Sequence, residues 1–166
     1  MKTFIESFLV ELKNEGESTK KLLELIPSDK LDWQPHPKSM TLKALATHIS
    51  EIPGWIKIGL TTTEINFAKN PYPPKDCNSA QEFLTYIDEM IELSKIELEN
   101  VTDDFLTETW TMRNADVIYA VMSKWEVIRH SFNQLIHHRA QLGVYFRLLD
   151  IKLPGVYGPS ADEMPH

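Results

Sequence analysis

One cysteine, Cys77, stands in the 166 residues, which excludes an internal disulfide framework. Positive charge is also scarce: 17 Lys and Arg face 24 Asp and Glu, for a net charge of -7. Nucleic-acid binding draws most of its affinity from cationic side chains that displace phosphate counterions, so this balance argues against a nucleic-acid partner. Long apolar runs are missing as well. Glu6 and Glu11 interrupt Phe4-Ile5 and Phe8-Leu9-Val10 before a signal-peptide core or a membrane span could form, so the chain reads as mature from Met1 with no membrane partner. Without a secretory signature, the lone thiol fits a reducing, cytoplasmic compartment. Neither an internal repeat nor a low-complexity tract is present. The length suits a single domain over 1–166 that buries its own core.

What the chain does have is helical periodicity, in four long stretches. Ile5, Phe8, Leu9, Leu12, Leu23 and Ile26 recur at helical spacing until Pro27 ends the first. Thr41 is a fitting N-cap for the second, which places Leu45, Ile49 and Ile52 on one face and should kink or break at Pro53-Gly54. Pro35 and Pro37 between them predict a loop carrying Trp33. Ser79-Ala80-Gln81-Glu82 is a Ser-x-x-Glu capping box opening the third, which runs on through Phe83, Ile87, Met90 and Leu98. The fourth spans about Ser123 to Leu149, with Ile128, Phe132, Leu135, Leu142 and Leu149 as its core stripe. Asn70-Pro71-Tyr72-Pro73-Pro74 predicts a surface crossing. Thr107 to Val121 alternates polar and apolar residues around Arg113-Asn114-Ala115-Asp116, a weak hairpin signal. Pro154 to Pro159 cannot be helical and should fold back over the bundle.

The fourth stretch carries the chemistry: Arg129-His130-Ser131-Phe132-Asn133-Gln134-Leu135-Ile136-His137-His138-Arg139-Ala140-Gln141-Leu142. A metal ion held by imidazoles needs nitrogens converging at about 2.0–2.1 Å, and one helix supplies two ligands only at i,i+3 or i,i+4. His130 and His137 are two turns apart, about 10 Å, too far to share an ion. His137 and His138 point about 100° apart, so at most one faces a given site. Gln134 lies four after His130, three before His137 and four before His138. A one-ion site here therefore uses Gln134, or takes one histidine and fills with water. An amide oxygen binds a borderline metal less well than imidazole, so affinity should fall below that of a three-His site. His48, three after Leu45, sits on the shoulder of its helix's apolar stripe and could supply the cross-helix ligand. Such a position is more often that of a satisfied core histidine than of a ligand. His130 beside Arg129 reads as a surface residue, Arg139 as a core-edge or ion-pair residue, and Gln141 as a solvated or capping polar group. The carboxylates from Glu89 to Glu99 read most simply as a solvated face, with a second-contact role behind a histidine as the alternative. Cys77 has no activating neighbour in sequence to make it a nucleophile.

The segments from Leu42 through His48-Ile49-Ser50-Glu51-Ile52-Pro53-Gly54-Trp55, His137-His138-Arg139-Ala140-Gln141-Leu142, and Leu153-Pro154-Gly155-Val156-Tyr157-Gly158-Pro159-Ser160-Ala161-Asp162-Glu163 resemble the DinB-like family of damage-inducible four-helix-bundle proteins. The resemblance runs over nearly the whole chain. It implies an all-α DinB-like four-helix bundle with a short irregular or hairpin segment before the last helix, homodimerisation, and a nickel or zinc ion held by three histidines. His48 matches the family's ligand on the second helix and His138 its last ligand. The middle ligand falls at Gln134, where the family usually has histidine, so the implied metal set here is His48, Gln134 and His138 with a weakened centre. His137 matches the usually non-ligating member of the His-His pair.

Characterised relatives include transferases that join a low-molecular-weight thiol to an electrophile. One expectation is thus a metal-dependent small-molecule enzyme, a thiol S-transferase in stress response or detoxification, with Trp33, Trp55, Trp125 and Tyr157 lining an apolar pocket for the electrophile. The alternative is a non-catalytic small-molecule-binding bundle with a degenerate metal site. A dimer acting as an interaction scaffold is a third.

Overall fold

Helix starts follow the capping chemistry written in the sequence. The computed structural model describes residues 3–69 and 73–164. Helix α1 (Phe4–Leu23) opens with a Thr3–Glu6 capping box and closes before Pro27, which leads into a 3-10 turn at Ser28–Lys30. Helix α2 (Leu42–Glu51) starts where the Thr41 hydroxyl accepts the Ala44 amide, and Pro53 separates it from α3 (Gly54–Thr61). Ile52 and Pro53 keep right-handed helical dihedrals, so α2 and α3 form one bent arm and not two independent helices. Ser79 caps α4 (Ala80–Glu99). The reciprocal half of its box is altered, because Glu82 accepts from the Asn78 amide and the Ser79 hydroxyl. Helix α5 (Lys124–Leu148) begins with a full Ser123–Glu126 capping box. It ends in a Schellman turn whose left-handed residue is Asp150 (φ 57°): Ile151 donates to Phe146 and Asp150 to Arg147.

Helix α4 packs on α1, α2 and α3, and α5 packs on the same three, so α1 and the bent arm occupy opposite corners of a four-cornered bundle. One end of the core gathers Leu23, Leu45, Ile49, Phe83, Ile87, Leu142 and Phe146. The other gathers Phe8, Leu12, Ile56, Leu60, Leu98, Ile128 and Phe132. Lys124 ties α5 to the end of α3: its ammonium donates to the Gly59, Leu60 and Thr62 carbonyls, which would otherwise lack donors as the helix stops.

The expectation of a purely α-helical fold is corrected by a three-stranded sheet. Strands β2 (Thr109–Asn114) and β3 (Val117–Ser123) form the hairpin anticipated between Thr107 and Val121, turning at Ala115-Asp116. Strand β1 (Glu64–Asn66) follows α3 and adds to β2 in parallel, an element with no sequence signal behind it. Fully buried Trp110 seats the sheet on the bundle, with Ile65 and Val127 around it and its indole N–H donated to Thr62 Oγ1. The outer strand leaves Val117, Ile118, Tyr119 and Val121 exposed. Pro73 and Pro74 lie in irregular chain, as expected, while the rest of that crossing, Asn70-Pro71-Tyr72, lies outside the described residues. No helix among the described residues is long and apolar enough to cross a membrane.

The tail folds back as the prolines required. The Tyr157 hydroxyl donates to Glu15 Oε2 (2.8 Å) and accepts from Arg139 Nη2 (2.6 Å), while Arg139 pairs with Glu15 at 2.7 Å. Arg139 is only 3% exposed, so the pair spans α1 and α5 within the packed bundle. Replacing Arg139→Leu strands the Glu15 carboxylate and should cost about 3–5 kcal/mol of unfolding free energy in denaturant titrations; a loss below about 1 kcal/mol would show that the pair is dispensable. Further along, Arg147 and the Leu153 amide hold the Asp162 carboxyl below the usual carboxylate range, as the Gly155 and Ser160 amides do for Glu163. The docked tail prefers the charged forms, so its docking is fully present above the ordinary carboxylate range and is lost as pH falls through the lowered values. Hydrogen-exchange protection of the Gly155 and Ser160 amides should accordingly vanish on acidification before that of α5.

Candidate functional site

The packing of α2 against α5 decides which side chains meet. On α2, Leu45 and Ile49 are buried, which turns His48 on the adjoining shoulder toward α5. On α5, buried Leu135 and Leu142 place Gln134 and His138 on the facing shoulder. The two rings meet edge to face, 4.6 Å between centroids and 75° between planes. The structure thus brings together His48 and His138 as the sequence suggested.

Each ring is held from behind by the residue three positions on. His48 Nδ1 lies 2.7 Å from Glu51 Oε1, and His138 Nδ1 lies 2.7 Å from Gln141 Oε1. Carboxylate and amide oxygens only accept, so in both rings Nδ1 carries the proton. In its neutral form each ring then presents an unprotonated Nε2, the atom a metal ion or an acid would take. Burial pushes the His138 imidazole below its ordinary value against the raising effect of the Gln141 hydrogen bond, and His48 and His137 push the same way as burial. His138 is therefore neutral near pH 7.

Both rings open onto a cavity of about 270 Å³. Its wall is His48 and Ile52 from the α2 end of the arm, Trp55 from α3, Met112 from β2, and His130, Ser131, Gln134 and His138 from α5. The hairpin thus closes a site that the helices alone would leave open. Gln134 sits between the α5 histidines, and its amide nitrogen lies 3.4 Å from His130 Nε2. That contact uses the Gln134 donor and keeps its oxygen, the only atom of the amide able to ligate. Among the described residues no group of three His, Cys, Asp or Glu is placed to hold a metal ion. The three residues that the family resemblance offered as ligands, His48, Gln134 and His138, all line this cavity.

Several expectations are corrected here. His130 is a cavity residue and not a surface one, because Met112 and Trp55 cover a face that looks exposed on the isolated helix. Of the four aromatics expected to line the pocket, only Trp55 does. Trp33 packs edge-on against Tyr145, Trp125 lies near Phe8, and Tyr157 belongs to the tail latch. Gln141 orients His138 instead of serving only solvent. The carboxylate behind a histidine comes from Glu51 on α2 and not from the α4 segment, where Glu89 is exposed and paired with Lys75. Spacing offered a signal for both orienting residues, since each follows its histidine by three on the same helix. His137 is exposed and touches His138 only through its ring, 4.9 Å between centroids. Cys77 is buried, and that burial pushes its thiol up, away from nucleophilic use.

A bent-arm helical bundle with paired imidazoles opening on a small cavity beneath a hairpin is the class that fold and site define. The chain matches the DinB family model over residues 1–165 and belongs to the DinB family. Solved structures of the same fold include a DinB-like protein from Bacillus cereus, with TM-score 0.73 and 26% identity, covering 95% of this chain and 100% of that one. A DinB-like protein from Bacillus subtilis gives TM-score 0.71 at 18% identity, covering 90% and 96%. A protein from Exiguobacterium sibiricum gives 0.68 at 21%, covering 92% and 97%. No curated protein matches the chain.

The ring geometry is directly measurable. Long-range ¹H–¹⁵N spectra of metal-free protein above pH 7 should find His48 and His138 protonated at Nδ1 and bare at Nε2; the opposite tautomer in either ring would contradict the arrangement.

Proposed function

We propose that this DinB-family protein carries out metal-assisted chemistry on small molecules in the cavity between α2, α3, α5 and the hairpin. The observation that carries the reading is the pair of imidazoles lining the same cavity, both tied back at Nδ1 so that the nitrogens left free are the two Nε2 atoms. His48 and His138 would hold a nickel or zinc ion through those nitrogens, with the Gln134 oxygen as third donor. When bound, such an ion supplies Lewis acidity that lowers the pKa of a thiol and favours its thiolate, the nucleophilic form.

Around it the chain's own residues bind and orient. Ile52, Trp55 and Met112 form an apolar wall suited to the body of an electrophile and exclude water from it. Ser131 and His130 supply polar atoms at the same wall. This arrangement favours transfer of a small thiol to an apolar electrophile, the activity of a detoxifying S-transferase.

A second reading rests on Gln134, which contributes no imidazole and contacts His130. On that reading the bundle binds small molecules without metal catalysis. Metal content of untagged protein separates the two, measured by plasma mass spectrometry beside a Gln134→His variant prepared identically. Near-stoichiometric nickel or zinc in the natural protein is the expected result. Metal in the variant alone would overturn the metal-dependent reading in favour of the second.

A further inference from the structure

We infer that Glu51 is a positioning residue that sets the cation affinity of the cavity, holding His48 with Nε2 forward and supplying the negative charge that a bound cation balances. The inference rests on the metal-site reading above and deepens it. Glu51 is only 8% exposed and its Oε1 lies 2.7 Å from His48 Nδ1. Its other oxygen, Oε2, is buried with no hydrogen-bond partner among the described residues. Among those residues the His48 ring is its only hydrogen-bond partner, and no Lys or Arg pairs with it. A carboxylate taken out of water and left half satisfied weakens the fold unless a nearby positive charge compensates it.

Surface helix pairs at the same i,i+3 spacing need no such burial. Helix α5 provides the comparison within the molecule: Gln141 performs the same ring-orienting task for His138 from an exposed position and with no charge. Orientation alone is therefore achieved by a neutral amide. The charge at Glu51 is an addition, and it lies behind the ring that leads into the cavity. The only other buried side-chain polar atom without a partner among the described residues is Trp55 Nε1. Trp55 lies one turn beyond Glu51 on the same bent arm and lines the cavity. Unsatisfied polar atoms are uncommon in folded proteins, and here both lie on the bent arm, one on cavity-lining Trp55 and the other on the carboxylate directly behind the His48 ring.

With Gln134 contributing a neutral amide, a carboxylate hydrogen-bonded to His48 makes that imidazole a stronger donor. Glu51 thus strengthens one of the two imidazoles that remain.

The test is Ni²⁺ affinity, measured by competition with a chromophoric chelator on the full chain. Glu51→Gln keeps an oxygen acceptor for Nδ1 and removes the charge; Glu51→Asp keeps the charge on a shorter arm. Each is made in the natural sequence and in the Gln134→His background, with thermal unfolding of the metal-free proteins in parallel. Glu51→Gln should weaken Ni²⁺ binding about 10–100-fold in both backgrounds, with the metal-free melting temperature unchanged or raised. Glu51→Asp should recover part of the affinity, and the Ni²⁺ absorption bands should shift between the Gln and Asp variants. If the natural protein binds no Ni²⁺ while Glu51→Gln still weakens the Gln134→His background, Glu51 keeps its role and the metal-dependent reading of the natural chain fails. Equal affinity with and without the Glu51→Gln change in the Gln134→His background overturns the inference, as does a Glu51→Asp variant no tighter than Glu51→Gln.

Discussion

The site depends on the contact between two helix shoulders, α2 and α5, that brings His48 edge-on to His138 across 4.6 Å. Neither ring could be so placed by its own helix. Leu45 and Ile49 on one side and Leu135 and Leu142 on the other fix the helix faces in the core, and the histidines occupy the adjoining positions that this packing leaves beside the cavity. A close-packed core leaves little freedom to turn either helix. The Lys124 clamp on the end of α3 and the Arg139–Glu15–Tyr157 latch between α1, α5 and the tail hold the same helices from both sides.

The orienting contacts differ in a way that matters for chemistry. Glu51 and Gln141 both fix Nδ1 as the protonated nitrogen, but one is a buried carboxyl group and the other an exposed amide. On the proposed reading, the two oriented imidazoles would take a cation through Nε2, with the Gln134 oxygen, one turn before His138 on α5, as the third donor. DinB-family membership agrees with such a bundle, while the reaction itself rests on the cavity's chemistry and not on the fold.

Much of this was legible in the sequence where the signal was local. The Thr41 and Ser79 caps, the break at Pro53-Gly54 and the return of the tail after Pro154 each depend on residues a few positions apart, and all appear where expected. Helix periodicity put His48 on the shoulder of its apolar stripe and Gln134 within a turn of each α5 histidine, while the choice of His138 over His137 came from the family resemblance. What escaped depends on distant pairing. Strand β1 is three residues long and exists because β2, far along the chain, accepts it. The place of His130 in the cavity wall required knowing that Met112 and Trp55 lie against that face of α5. Trp33, Trp125 and Tyr157 were plausible pocket residues by composition, but the neighbours that claim them, Tyr145, Phe8 and the Arg139–Glu15 pair, come from elsewhere in the chain. Glu51 was legible and passed over, since an acid three residues after a histidine reads as a surface pair until its burial is known.

If His48 and His138 together form a cation site at the cavity, both rings must appear in the coordination shell of a bound ion. X-ray absorption at the nickel edge of protein loaded with one equivalent of Ni²⁺ reads that shell. Scattering from two imidazoles is expected, with the remaining ligands oxygen or nitrogen, and one imidazole should be lost in either His48→Ala or His138→Ala. Fewer than two imidazoles, or a spectrum unchanged by both substitutions, would place the ion elsewhere and contradict such a site.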